Sequence, residues 1–130
     1  MKKIASNKSY RIRRLASINR VWIIADSNIQ GRGAYAACDI PAGTPIEMVT
    51  CPINEIDSIE GLKQVGNMVI TEFGSKVNHQ CNCNCCLKKD LKGRLWCCAI
   101  RDIKSGEELV ADYRKNPPEF NRDVTGYIEL

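Results

Sequence analysis

His79 is the only histidine in this 130-residue chain. Imidazole is the side chain whose unperturbed pKa lets it exchange a proton near neutrality, so a His-dependent acid–base step would have to use it. The alternative is a structural histidine, and both readings stand. His79 sits in Asn78-His79-Gln80-Cys81-Asn82-Cys83-Asn84, a stretch too polar and turn-like for a regular element. Far upstream, Gly31-Arg32-Gly33 offers backbone N–H and C=O groups for close approach by a ligand, because glycine has no Cβ. It lacks the third glycine and the following helix of a dinucleotide fingerprint, so a plain hairpin turn is its other reading. Downstream, Gly106-Glu107-Glu108-Leu109-Val110-Ala111-Asp112-Tyr113 runs from an acidic pair through apolar residues to a polar end. Taken alone, Tyr113 reads as a ring packed in a core with its hydroxyl bonded.

Eight cysteines add a second kind of chemistry. No apolar signal-peptide core precedes them, and the adjacent pairs Cys85-Cys86 and Cys97-Cys98 suit a disulfide framework poorly. A reducing, intracellular setting, nuclear or cytoplasmic, is the expectation. Cys81, Cys83, Cys85, Cys86, Cys97 and Cys98 also lack the paired spacing of common zinc sites. They are read as buried thiols packed as small hydrophobes, with no metal assigned.

The elements that must carry these residues are short. Strands are expected at Val21 to Ala25, Ala34 to Cys38, Ile46 to Cys51, Asn67 to Phe73 and Arg94 to Ile100, with Asn54 to Leu62 as the one plausible helix. Short strands between Gly, Pro and Asn turns argue for a mainly β domain. One device recurs: Asp39-Ile40-Pro41-Ala42-Gly43 and Asp102-Ile103-Lys104-Ser105-Gly106 each put a glycine where a tight connection needs positive φ. Pro117-Pro118 ends the last strand's continuation.

One domain is the prior for this length, large enough for a self-supporting core, and no apolar run is long enough to suggest a membrane span. Seven of the nineteen Lys and Arg fall in residues 1–25, which hold no acid; the remaining twelve face fifteen Asp and Glu. A basic arm therefore precedes a body near −3. The arm reads as an ordinary solvated leader, with weak nucleic-acid contact or targeting as the functional options.

Taken together, the order and spacing of Gly31-x-Gly33, Asn78-His79-x-Cys81-x-x-Asn84 and the segment ending in Tyr113 resemble the SET domain of protein-lysine methyltransferases. The resemblance covers about Val21 to Tyr113. It implies a mainly β, β-clip-like fold of several small sheets with a C-terminal pseudoknot. Residues 1–20 would be the arm, 21–116 the SET domain and 117–130 a tail. It further implies S-adenosyl-L-methionine as cofactor, held by Gly31, Arg32, Gly33, Asn78, His79 and Tyr113, with Tyr113 also the catalytic residue. The substrate would be a lysine-bearing protein, for which histone is the analogy the family offers. Glu107 and Glu108 would serve structure. The chain departs from the usual motif at Ser75-Lys76-Val77 and at Cys83, and it has no cysteine after Tyr113 with which to build a zinc-bound post-SET segment.

Phe120 and Tyr127 are the tail's aromatics. Closing the lysine channel, stacking on adenine and belonging to a disordered tail are all open to them. The short interval before Asn78 makes a minimal domain that a second copy could complete, so monomer and homodimer both stand. Two alternatives to the enzyme are an inactive SET-fold binding module and a small zinc-binding, nucleic-acid-contacting protein.

Overall fold

The structure, a computed structural model, describes residues 20–120 and 123–130. The basic arm thus lies outside the described residues except for Arg20, whose guanidinium stacks 4.4 Å from the Trp22 ring centroid. Strands form where β-branched, aromatic and Cys residues cluster: β1 (Trp22–Asp26), β2 (Arg32–Ala36), β3 (Pro45–Pro52), β4 (Gln64–Val65), β5 (Met68–Ile70), β6 (Asn78–His79), β7 (Cys85–Lys89), β8 (Leu95–Ala99) and β9 (Val110–Ala111). β1 and β2 make an antiparallel hairpin. The other seven form one sheet in the order β4-β5-β3-β8-β7-β9-β6. The fold is mainly β, as the density of turn residues implies.

The last strand decides how the site is assembled. β9 pairs in parallel with β6 on one side, Asn78 with Val110 and His79 with Ala111, and with β7 on the other through Cys85 and Ala111. Residues 109–113 therefore pass between the two ends of the 80–84 loop, as a pseudoknot does and as chains rarely do. Asn84 holds the passage open. Its side chain donates to the Glu108 carbonyl at 2.8 Å and accepts the Val110 N–H at 2.9 Å.

The repeated Asp-Ile device turns out to pair with itself. Ile40 and Ile103 exchange both backbone hydrogen bonds at 2.8 Å. Asp102 Oδ1 accepts the Ala42 N–H at 2.8 Å, and Asp39 Oδ1 accepts the equivalent Ser105 N–H at 2.9 Å. Gly43 and Gly106 take the positive φ that the turns require, 87° and 92°. This local twofold clamps the segment before β3 to the segment before β9. Below it, Trp22, Phe73, Leu95, Ile103 and Leu109 anchor the main core, with the Trp22 and Phe73 rings 4.9 Å apart.

Three expectations need correction. No helix forms over 54–62: a 3-10 turn at Ile53–Glu55 is all that appears there, since Asp57, Ser58 and Gly61 interrupt any apolar stripe. Asn78-His79 is not a loop but the strand β6, stabilised by a partner, β9, that lies far away in sequence. The cysteines divide. Cys85, Cys97 and Cys98 are buried thiols as expected, while Cys83 and Cys86 are half-buried and Cys81 is exposed.

Candidate functional site

The three motif segments meet around one carboxylate. Glu108, which immediately precedes the threaded passage, points back at the β1–β2 turn, and the Ser27 hydroxyl lies 2.9 Å from both of its oxygens. Asn78 Nδ2 donates to Glu108 Oε2 at 2.8 Å and also reaches the Gln30 carbonyl at 3.1 Å. Ser27 in turn accepts the Ile29 N–H at 2.9 Å. A half-buried charge is thus paid for with hydrogen bonds, the usual condition for its presence. Gly33 is part of the same packing: a Cβ there would lie 2.2 Å from Glu108 Oε2. Gly31, by contrast, is exposed with φ 50° at the turn. Arg32 directs its side chain to Asp26 at 3.0 Å on the surface, leaving its carbonyl toward Asn78, 3.5 Å away.

His79 and Tyr113 face each other one layer over. The Tyr113 N–H donates to His79 Nδ1 at 3.0 Å, and the two rings lie 5.2 Å apart. Asp112 Oδ1 stands 3.8 Å from the same nitrogen. Its carboxyl is held at about 2, chiefly by hydrogen bonds from the Arg114 guanidinium, which reaches Asp112 Oδ2 at 2.7 Å. The Tyr113 hydroxyl donates to the Val77 carbonyl at 2.5 Å. On its other side Tyr113 borders a small, mostly apolar cavity of about 20 Å³, walled by Val49, Ile70, Val77, Leu87 and Phe120, with Thr50 and Asn116 also in its lining.

Opposite the cavity, the outer face of His79 meets the tail. Tyr127 packs its ring 5.9 Å from His79 and 5.2 Å from Tyr113. The Gln80 amide donates to the Ile128 carbonyl at 2.6 Å and accepts the Leu130 N–H at 3.2 Å. The Cys81 N–H donates to the Glu129 carboxylate at 3.0 Å. His79, Cys81 and Glu129 place ligand atoms within 4.8 Å of one another, which raises the question of a metal. Nδ1 of His79 is already an acceptor, so the neutral ring carries its proton on Nε2, the nitrogen that faces Cys81 Sγ at 3.9 Å. That nitrogen has no lone pair to give, and partial desolvation and Glu129 raise the Cys81 thiol away from the thiolate that binds metal.

The SET-domain family model matches residues 31–114, which span all three motifs and every strand from β2 to β9. The chain belongs to the SET-domain family. Solved structures agree on the fold. A candidate histone methyltransferase of Plasmodium falciparum is 20% identical with a TM-score of 0.51, covering 72% of this chain and 93% of its own. A humanized mutant Polycomb Repressive Complex 2 of Chaetomium thermophilum, bound to the inhibitor GSK126, is 24% identical with a TM-score of 0.56, covering 76% of this chain. Apo ctPRC2 with two mutations in Ezh2 is 22% identical with a TM-score of 0.57. The chain spans only 15% and 16% of the two Polycomb chains. No curated protein matches it.

Within this SET domain, Asn78, Gly33 and Tyr113 come together as one assembly, whereas the Arg32 side chain does not join it. Sequence reasoning singled out Tyr127 but missed Ser27, Gln80 and the tail's Glu129. Ser27 carries a local signal, since Ser readily caps a turn by accepting nearby N–H groups. Its bond to Glu108, 81 residues away, leaves no trace in local sequence.

Proposed function

We propose that this SET domain transfers the methyl group of S-adenosylmethionine to the side-chain nitrogen of a lysine in a protein substrate. The observation that carries the reading is the position of Tyr113, between a mostly apolar cavity and the groove in which the tail lies against Ile29, His79, Gln80 and Cys81. The groove fits the donor chemically. It accepts a flat aromatic ring from Tyr127 and a carboxylate from Glu129, the same kinds of group as the donor's purine and amino-acid end. Bound there, S-adenosylmethionine would supply an electrophilic methyl group on a sulfonium.

The chain's own residues have three tasks. Asn78, Ser27 and Glu108 hold the turn and the strand in register, because an in-line displacement depends above all on alignment. Tyr113 donates its proton to Val77, so its oxygen keeps lone pairs for weak C–H···O contacts to a methyl group. The cavity walls, mostly apolar, disfavour a charged amine. Lowering a lysine by about three pKa units is worth about 4 kcal/mol, and desolvation supplies it without a dedicated base. A body near −3 suits a cationic polypeptide such as a histone tail.

The test is transfer of labelled methyl from S-adenosylmethionine to histones and lysine peptides. Tyr113→Phe should keep the melting temperature within a few degrees and lose about a hundredfold in rate, as a slight misplacement of reactants does. Donor binding with no transfer to any lysine would overturn the enzyme in favour of a non-catalytic SET-fold module.

A further inference from the structure

The tail lies across the same groups that the proposed function needs for the donor. Ile128 donates its N–H to the Ile29 carbonyl at 3.4 Å, on the turn that carries Gly31. Gln80 grips the tail backbone with both ends of its amide, at Ile128 and Leu130, and its Nε2 also caps the His79 carbonyl at 3.1 Å. Glu129 takes the Cys81 N–H, and Tyr127 covers the faces of His79 and Tyr113. Tail and donor therefore compete for one place.

The tail is also built to leave. Ile128 is 58% exposed and Leu130 75% exposed, so polar contacts and one ring hold it, with little apolar burial. Its path is set by a local device, Asp123 accepting the Thr125 N–H at 3.0 Å and the Thr125 hydroxyl at 2.9 Å, followed by Gly126 at φ 91°. That turn brings the chain back toward Gln30 without help from the core. An element held this way opens locally at small cost while the sheet stays folded.

We propose that residues 127–130 form an autoinhibitory latch, an intramolecular competitor that must release the groove before S-adenosylmethionine binds. The proposal rests on reading the groove as the donor site. Occupancy by the latch lowers donor affinity by the fraction of molecules that are closed. A tail that closed the donor in, as a lid, would have the opposite effect.

The experiment compares the full chain with its Tyr127→Ala/Glu129→Ala variant by calorimetric titration with S-adenosylmethionine and S-adenosylhomocysteine. The latch requires tighter binding in the variant, by about tenfold if nine molecules in ten are closed; general damage to the fold would weaken binding instead. A synthetic peptide of residues 123–130 should then weaken donor binding to the variant competitively. Equal or weaker binding in a variant that melts at the temperature of the full chain overturns the latch alone and leaves the methyl-transfer reading standing. Donor binding to neither protein overturns both.

Discussion

Glu108 and Gly33 occupy one small volume, and each explains the other. The carboxylate needs Ser27 and Asn78 as donors, and it lies where any larger residue at position 33 would put its Cβ, 2.2 Å from Oε2. Gly33→Ala should therefore cost about 1–3 kcal/mol by overpacking. Glu108→Ala should cost a similar amount by leaving buried donors unmet. Because both act on the same contact, the double variant should be less destabilised than the sum by about 1 kcal/mol, read from urea midpoints. Additive costs would show that the two residues do not share that space. Tyr35 feels the same carboxylate: its hydroxyl is pushed up first by burial and then by Glu108.

At the scale of elements, β9 is two residues long, and its pairing depends on what flanks it. Asn84 substitutes side-chain bonds for ladder bonds at the entrance to the passage. Asn84→Ala would strip a partner from the Val110 N–H and another from the Glu108 carbonyl. Each buried group left unmet costs about 1–3 kcal/mol. Hydrogen exchange at Val110 should accelerate strongly in that variant, while exchange within the β1–β2 hairpin stays close to normal. Uniform acceleration everywhere would mean that the passage opens only with the whole domain.

For the molecule as a whole, acid is the informative perturbation. Asp112 is 4% exposed, and Arg114 keeps its carboxyl at about 2, below the ordinary 3.8. A depressed carboxyl contributes stability in full above its unfolded pKa and loses it as pH falls through the folded value. Stability should thus decline between about pH 4 and pH 2 as the Asp112–Arg114 contact is protonated away. In Asp112→Asn, which keeps an acceptor for the Arg114 N–H, that part of the acid limb should flatten. An unchanged limb in thermal melts across this range would assign the acid sensitivity elsewhere. Among the described residues, no helix is long and apolar enough to cross a membrane.

The sequence by itself determined the class of fold, the family and the three motif segments. Turn glycines, β-branched runs and the Asp-Ile-x-x-Gly device act over a few residues, so their physics is written locally. It also placed five strands to within a few residues, but predicted a helix at 54–62 where only a 3-10 turn forms. What the tertiary structure alone decided was everything held by distant partners. The Asn78-His79 strand exists because β9 threads beside it. The Glu108 carboxylate is tolerated because Ser27 and Asn78 reach it from 81 and 30 positions upstream. The tail's seat depends on Gln80, about fifty positions away. Local periodicity cannot encode such contacts, since their free energy appears only once the chain has closed the long loops that bring the partners together.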